Sequence, residues 1–302
     1  MSVLSQVSML FVLVLIGVFC RRQRYLNPET TRGVTQIVIN IALPCLTLSA
    51  MQRPFAAEEM RNFLYVLVYA TALLLISLAA AMLIYRGRPH ARRAVLLNFA
   101  LFSNNSFMGY PVIMALNPDL MIYAVSLDVA HSFFTWSVGN GLFGTKDKKA
   151  GGLPLKPLLI TPNIIAAALG FGLFCAGVSL PSFVTGVLDL VGGLTTPLAM
   201  LLVGARLYGM KLSDLRDRDY HICAALRLVL FPALAYVLLT ALHAAPDVRT
   251  AIVLLTAMPH STMIANQAEL YGGDHAFAAR AIAYSTLLCM ITVPVVSMLI
   301  SM

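Results

Sequence analysis

Ser103-Asn104-Asn105-Ser106-Phe107-Met108-Gly109-Tyr110-Pro111-Val112 stands inside a long apolar run, and so does Met258-Pro259-His260-Ser261-Thr262, with Asn266 and Gln267 close behind. Amides, hydroxyls, glycine and proline interrupt a helix and free backbone groups that hydrocarbon cannot satisfy. Such a stretch is stable within a bilayer only where it is buried in protein or lines a wet cavity. The remainder of the chain makes the bilayer the relevant solvent. Of its 302 residues 59% are hydrophobic and 11% are charged, against about 25% charged in an ordinary globular domain. No room is left for a sizeable soluble domain.

Ten apolar runs of spanning length are expected, near residues 3–20, 33–51, 62–85, 93–116, 121–144, 159–177, 182–208, 221–242, 249–271 and 276–301. The two polar interruptions fall in the fourth and ninth. The first run has its basic residues, Arg21, Arg22 and Arg24, after it and none before it. It therefore reads as a retained helix rather than a cleaved leader. The five cysteines, Cys20, Cys45, Cys175, Cys223 and Cys289, lie in or at the ends of apolar runs without metal-ligand spacing.

Arginine and lysine set the expected orientation. The loops after spans 1, 3, 5 and 7 hold four apiece, whereas the opposite loops hold only Arg53, Arg61 and Arg249. By the positive-inside rule both termini face outward, placing them on the periplasmic side of a bacterial inner membrane. Arg227 and Arg280 sit near the cytoplasmic ends of spans 8 and 10, where they are expected to pair with Glu269 or snorkel to the surface. The net charge of +8 alternates from loop to loop as topology demands, so no nucleic-acid partner is implied.

Five spans precede the basic segment 145–157 and five follow it. An odd number makes the second half traverse the bilayer in the opposite sense, which is the setting for two inverted five-helix repeats, 1–144 and 158–302. Pro44 in span 2 and Thr196-Pro197 in span 7 occupy corresponding places, as do the two interruptions. A midplane substrate site is therefore expected from Asn104, Asn105, Ser106, Pro111, Pro259, His260, Ser261, Asn266 and Gln267, with Pro44, Thr196 and Pro197 on its far side. Half-helix N-termini there suit a carboxylate. Asp128 and His131, three residues apart and able to meet on one helix face, join His260 as candidates for proton coupling.

The stretch Ser103 to Val112 carries a resemblance, together with Thr161-Pro162-Asn163 through Gly204-Ala205-Arg206, including Leu190-Val191-Gly192-Gly193 and Pro197, and Tyr271-Gly272-Gly273-Asp274. In order and spacing these motifs resemble the auxin efflux carrier family over essentially the whole chain. The resemblance implies an all-α membrane protein of sodium/proton antiporter-like fold. Spans 1, 2, 6 and 7 would form a scaffold, and spans 3, 4, 5, 8, 9 and 10 a moving core in which the interrupted spans 4 and 9 cross. It also implies a homodimer through the scaffold and an auxin-like or malonate-like carboxylate as substrate, carried by alternating access. Asp128, His131 and His260 match no part of that pattern, and their roles are read from physics alone.

No phosphate-binding loop, metalloprotease motif or nucleophile elbow is present, so neither an enzyme nor a cofactor is expected. Asn104-Asn105-Ser106 fits the glycosylation pattern but lies at mid-membrane. A sodium-coupled carrier of the bile-acid type and a non-transporting sensor of small acids remain as alternative functions.

Overall fold

The computed structural model describes residues 3–144, 161–208 and 216–300. The expected cytoplasmic segment 145–157 lies outside them. The described residues fold into helices, with one isolated pair of extended residues.

The helices are α1 (Val3–Arg22), α2 (Pro28–Ala50), α3 (Ala57–Ile84), α4 (His90–Leu101), α5 (Tyr110–Leu116), α6 (Met121–Phe134), α7 (Pro162–Ala176), α8 (Ser182–Leu207), α9 (Arg218–Ala241), α10 (Pro246–Thr256), α11 (Met263–Tyr271) and α12 (His275–Ile300). Helix α6 runs on through a wide turn, Thr135–Gly139, into Asn140–Phe143. Among the described residues five helices, α2, α3, α8, α9 and α12, are long and apolar enough to cross a membrane, and α7 is a shorter apolar one. Leu83 is 72% exposed and Phe183 81% exposed. Large apolar side chains turned outward along such helices face lipid, which favours them where water would not.

Local chemistry sets the helix boundaries. Helix α2 begins before the expected residue 33 because the Asn27 side chain accepts the Thr30 N–H at 2.8 Å and Pro28 starts the first turn. Glu58 and Glu59 occupy the first turn of α3, where the positive helix end favours them. Helix α11 closes at Gly272, whose φ of 77° places it in the left-handed region that glycine adopts without strain.

Three prolines share a mark that Pro294 in α12 does not. Five-residue π-turns, Val38–Ala42, Asn105–Gly109 and Leu226–Leu230, immediately precede the turns that hold Pro44, Pro111 and Pro232. A proline lacks the N–H that would bond four residues back and its ring crowds that carbonyl, so the helix widens to absorb it.

Two sets of helices can be told apart by what they touch. Helix α1 lies along the second half of α8, while α7 and the first half of α8 pack on the second half of α2. A methyl group at Gly17 would collide with the Leu201 carbonyl, and one at Gly204 with the Val14 carbonyl, so α1 and α8 cross backbone against backbone. In the second set α3 packs on α6 and α4, α9 on α10, and α11 on α12.

Candidate functional site

The polar runs of spans 4 and 9 break their helices as expected: each span is two separate helices. Helix α4 ends at Leu101 and α10 at Thr256, and the chain between each half-helix and its successor is extended or turned. The two interruptions meet. Ser103 and His260 form an antiparallel bridge, in which the Asn104 N–H donates to the Pro259 carbonyl at 2.8 Å and the Ser261 N–H to the Phe102 carbonyl at 3.1 Å. Backbone groups released by breaking the helices thus satisfy one another, as burial requires.

The negative ends of both half-helices converge on one cation. Arg227, buried in α9, donates through Nη1 to the Ala100 carbonyl at 3.2 Å and through Nε to the Met258 carbonyl at 3.3 Å. A guanidinium fits because its rigid fork of donors reaches two carbonyls at once and its charge opposes both helix dipoles. The expectation for Arg227 is corrected here: it neither snorkels nor pairs with Glu269, and its partners are backbone carbonyls that no sequence motif announces. Arg280 faces the Tyr220 hydroxyl.

The positive ends open onto a cavity of about 300 Å³. Asn104 and Thr262, which stand immediately before the helical turns leading into α5 and α11, both line it. Arg206 of α8 and Asn266 line it as well, with Val203, Ala283 and Thr286 among the remaining residues, and no acidic side chain takes part. Asn104 is 4% exposed, and its side-chain nitrogen has no hydrogen-bond partner among the described residues. Arg206 lies over the Phe107 ring at 5.4 Å.

The other expected site residues divide by environment. Asn105 accepts the Ser103 hydroxyl at 2.8 Å and meets the His131 Nδ1 at 3.1 Å, which ties the first interruption to α6. His260 is fully buried and stacks on Phe99 with ring centroids 4.0 Å apart; its backbone N–H donates to the Ser285 hydroxyl at 3.3 Å. Pro259 and Ser261 act through their backbones. Gln267 turns instead to Asn140, at 2.8 Å. Ser106 lies in the π-turn and Pro111 in the first turn of α5. None of these seven lines the cavity, and neither do Pro44, Thr196 or Pro197; the wall opposite Asn104 comes from Val203, Arg206 and Leu207, further along α8.

Asp128 and His131 share a helix but take different partners. Asp128 Oδ2 accepts from the Asn163 amide of α7 at 3.3 Å, and Asn163 Oδ1 accepts the Thr47 hydroxyl of α2 at 2.7 Å. Among the described residues no three His, Cys, Asp or Glu side chains are grouped so as to hold a metal ion.

A larger cavity, about 530 Å³, lies at the α2–α3 and α5–α6 connections. Its arginine, Arg53, is already paired with Glu59 at 2.9 Å and Asp119 at 3.4 Å. It therefore offers an anion less than the smaller cavity does.

The chain is 25% identical over 293 residues to an uncharacterised transporter of Methanocaldococcus jannaschii, covering 93% of each chain. It is 24% identical over 294 residues to an uncharacterised transporter of Methanothermobacter thermautotrophicus, covering 96% of this chain and 95% of the relative. The family profile described as "Membrane transport protein" matches residues 2–297. With a match of that extent, the chain belongs to the auxin efflux carrier family of membrane transport proteins.

Proposed function

We propose that the protein is a secondary transporter that moves a small carboxylate across the membrane by alternating access. The observation that carries this reading is the polarity of the crossing. Its negative helix ends are held by Arg227, while the positive ends, the unpartnered Asn104 amide and Arg206 all border one cavity that has no acid. A carboxylate there would accept hydrogen bonds from Asn104 and Thr262 and a charge-assisted pair from Arg206.

Two inverted five-helix repeats account for the interruptions at corresponding places, although the sequence of each half is different. In this reading α1, α2, α7 and α8 form the scaffold, and the remaining helices move against it. The apolar α8 face bearing Phe183 and Leu190 would support a homodimer. With the basic loops on the cytoplasmic side, the smaller cavity would face the cytoplasm and the larger one outside, with both termini outward. Sliding one set of helices past the other would then expose the carboxylate to each side in turn. Export of one negative charge gains about 2.3 kcal/mol per 100 mV of inside-negative potential, whereas import must overcome it with a coupled cation or a steep gradient.

The test is thermal stabilisation of the purified protein by a panel of mono- and dicarboxylates. One acid class should raise the unfolding temperature, and Asn104→Ala should abolish that rise while leaving the ligand-free unfolding temperature near wild type. Stabilisation of Asn104→Ala equal to wild type would place the site elsewhere.

A further inference from the structure

Asp128 stands on α6, in the fifth apolar run of the sequence, partly buried, with neutral partners. The Asn163 amide that donates to it is itself oriented by the Thr47 hydroxyl, and the Tyr110 hydroxyl faces the same group from α5. Among the described residues no arginine, lysine or histidine reaches its carboxylate. The facing groups on α2 and α7 are the neutral Thr47 and Asn163, while α3 and α10 direct no charged or titratable side chain at it. His131, one turn along α6, is engaged with Asn105. A carboxylate ion in such surroundings lacks the counter-charge that makes burial tolerable, and binding a proton removes the charge altogether.

The place of this carboxyl matters as much as its chemistry. Its hydrogen bond to Asn163 joins α6 to α7, across the boundary between the two sets of helices, and it is absent from the cavity that holds Asn104 and Arg206.

We infer that Asp128 is a proton-binding site, separate from the anion cavity, whose protonation governs release of α6 from α7. This deepens the transporter reading and rests on it. The ionised carboxylate accepts a charge-assisted bond from Asn163 and holds the two sets together. A proton taken from water on one side converts it to a neutral carboxyl, a weaker acceptor that can pass along the apolar boundary, and the proton is returned to water on the other side. Carrying one proton removes one negative charge from the combined movement: with a monovalent anion inward transport becomes electroneutral, and with a dianion such as malonate the opposing electrical work is halved.

Infrared difference spectra of the purified full-length chain, between mildly alkaline and mildly acidic buffer, read the proton directly. A carboxylic C=O band should appear on acidification in wild type and be missing in Asp128→Asn; persistence of that band in the variant overturns the assignment. Should Asp128→Asn fail to fold, Asn163→Ala decides: loss of its hydrogen bond must shift the band, and an unmoved band overturns the proposal. In liposomes, an inward proton gradient should stimulate labelled malonate uptake several-fold in wild type and leave Asp128→Asn unstimulated. Equal stimulation of both contradicts the coupling. A band that behaves as expected with no malonate or other carboxylate flux in wild type keeps the proton site and rejects the transporter reading instead.

Discussion

Helices α1 and α8 meet backbone to backbone at Gly17 and Gly204, whereas α3, α4, α9 and α12 are joined at one end by charge. Arg88 pairs with Asp219 at 2.6 Å, and Arg92 pairs with Asp217 at 2.6 Å and with Asp274 at 2.8 Å while lying 3.9 Å over the Phe277 ring. In the first set the cohesion comes from dispersion between closely fitted surfaces, with the Thr47–Asn163 and Ser49–Asp189 bonds as polar additions. In the second set it comes from a network around Arg92 and from the cap that Arg227 places on two half-helices. The first should be intolerant of added volume and indifferent to pH; the second should respond to charge. The Asp128–Asn163 bond joins α6 to α7, and Arg53 pairs with Asp119.

The largest effect is expected where backbones touch. Gly204→Leu forces a side chain into the Val14 carbonyl, and overpacking of a fitted interface costs about 1–3 kcal/mol even where neighbours can yield. Since the obstruction here is backbone, the variant should give little monodisperse protein on size exclusion. A well-folded variant with an unchanged unfolding temperature would show that α1 and α8 are not held as described.

Arg227→Met should rank next. It bares the Ala100 and Met258 carbonyls at the crossing, and each buried acceptor left unpaired costs about 1–3 kcal/mol. The unfolding temperature should fall clearly, with Arg227→Lys intermediate because an ammonium cannot reach both carbonyls with a planar fork. A neutral Arg227→Met would remove the cap from the account.

The smallest effect sharpens the contrast in pH response. The Asp219 backbone N–H, and after it the Arg92 guanidinium, hold the exposed Asp217 carboxyl below the usual range against an opposing push from burial. A carboxyl depressed on folding contributes stability that is present above its unfolded value, about 3.9, and lost as pH falls through the folded one. Thermal unfolding in an acidic series should therefore decline more steeply in wild type than in Asp217→Asn below about pH 4. Superimposable profiles would mean that this pair does nothing measurable.

Much of the crossing was legible in the sequence, because a polar, glycine- and proline-bearing run in an apolar span admits few structures. Asn104 and Asn266 were readable as cavity residues for that reason. Arg206 reads in the sequence as a topology-marking basic residue after span 7 and as the end of a family motif, since a basic residue near a span end ordinarily marks topology. Arg227 was misread because its partners are carbonyls, which every residue carries. For Asp128 and His131 the helical spacing was sound, but their partners, Asn163 and Asn105, come from other helices, and local spacing holds no information about those. Gln267 shows the converse: a polar residue beside the interruption that turns to Asn140 and holds helices together.

The most direct test of the central claim is flux through the reconstituted protein, using the carboxylate that stabilises it best. Labelled acid should accumulate in or leave liposomes containing wild type, and Arg206→Gln should slow this by at least about tenfold, the equivalent of one lost charge-assisted bond of about 1.4 kcal/mol or more. Binding without any movement of the acid across the bilayer would contradict alternating access and identify the protein as a receptor for small acids.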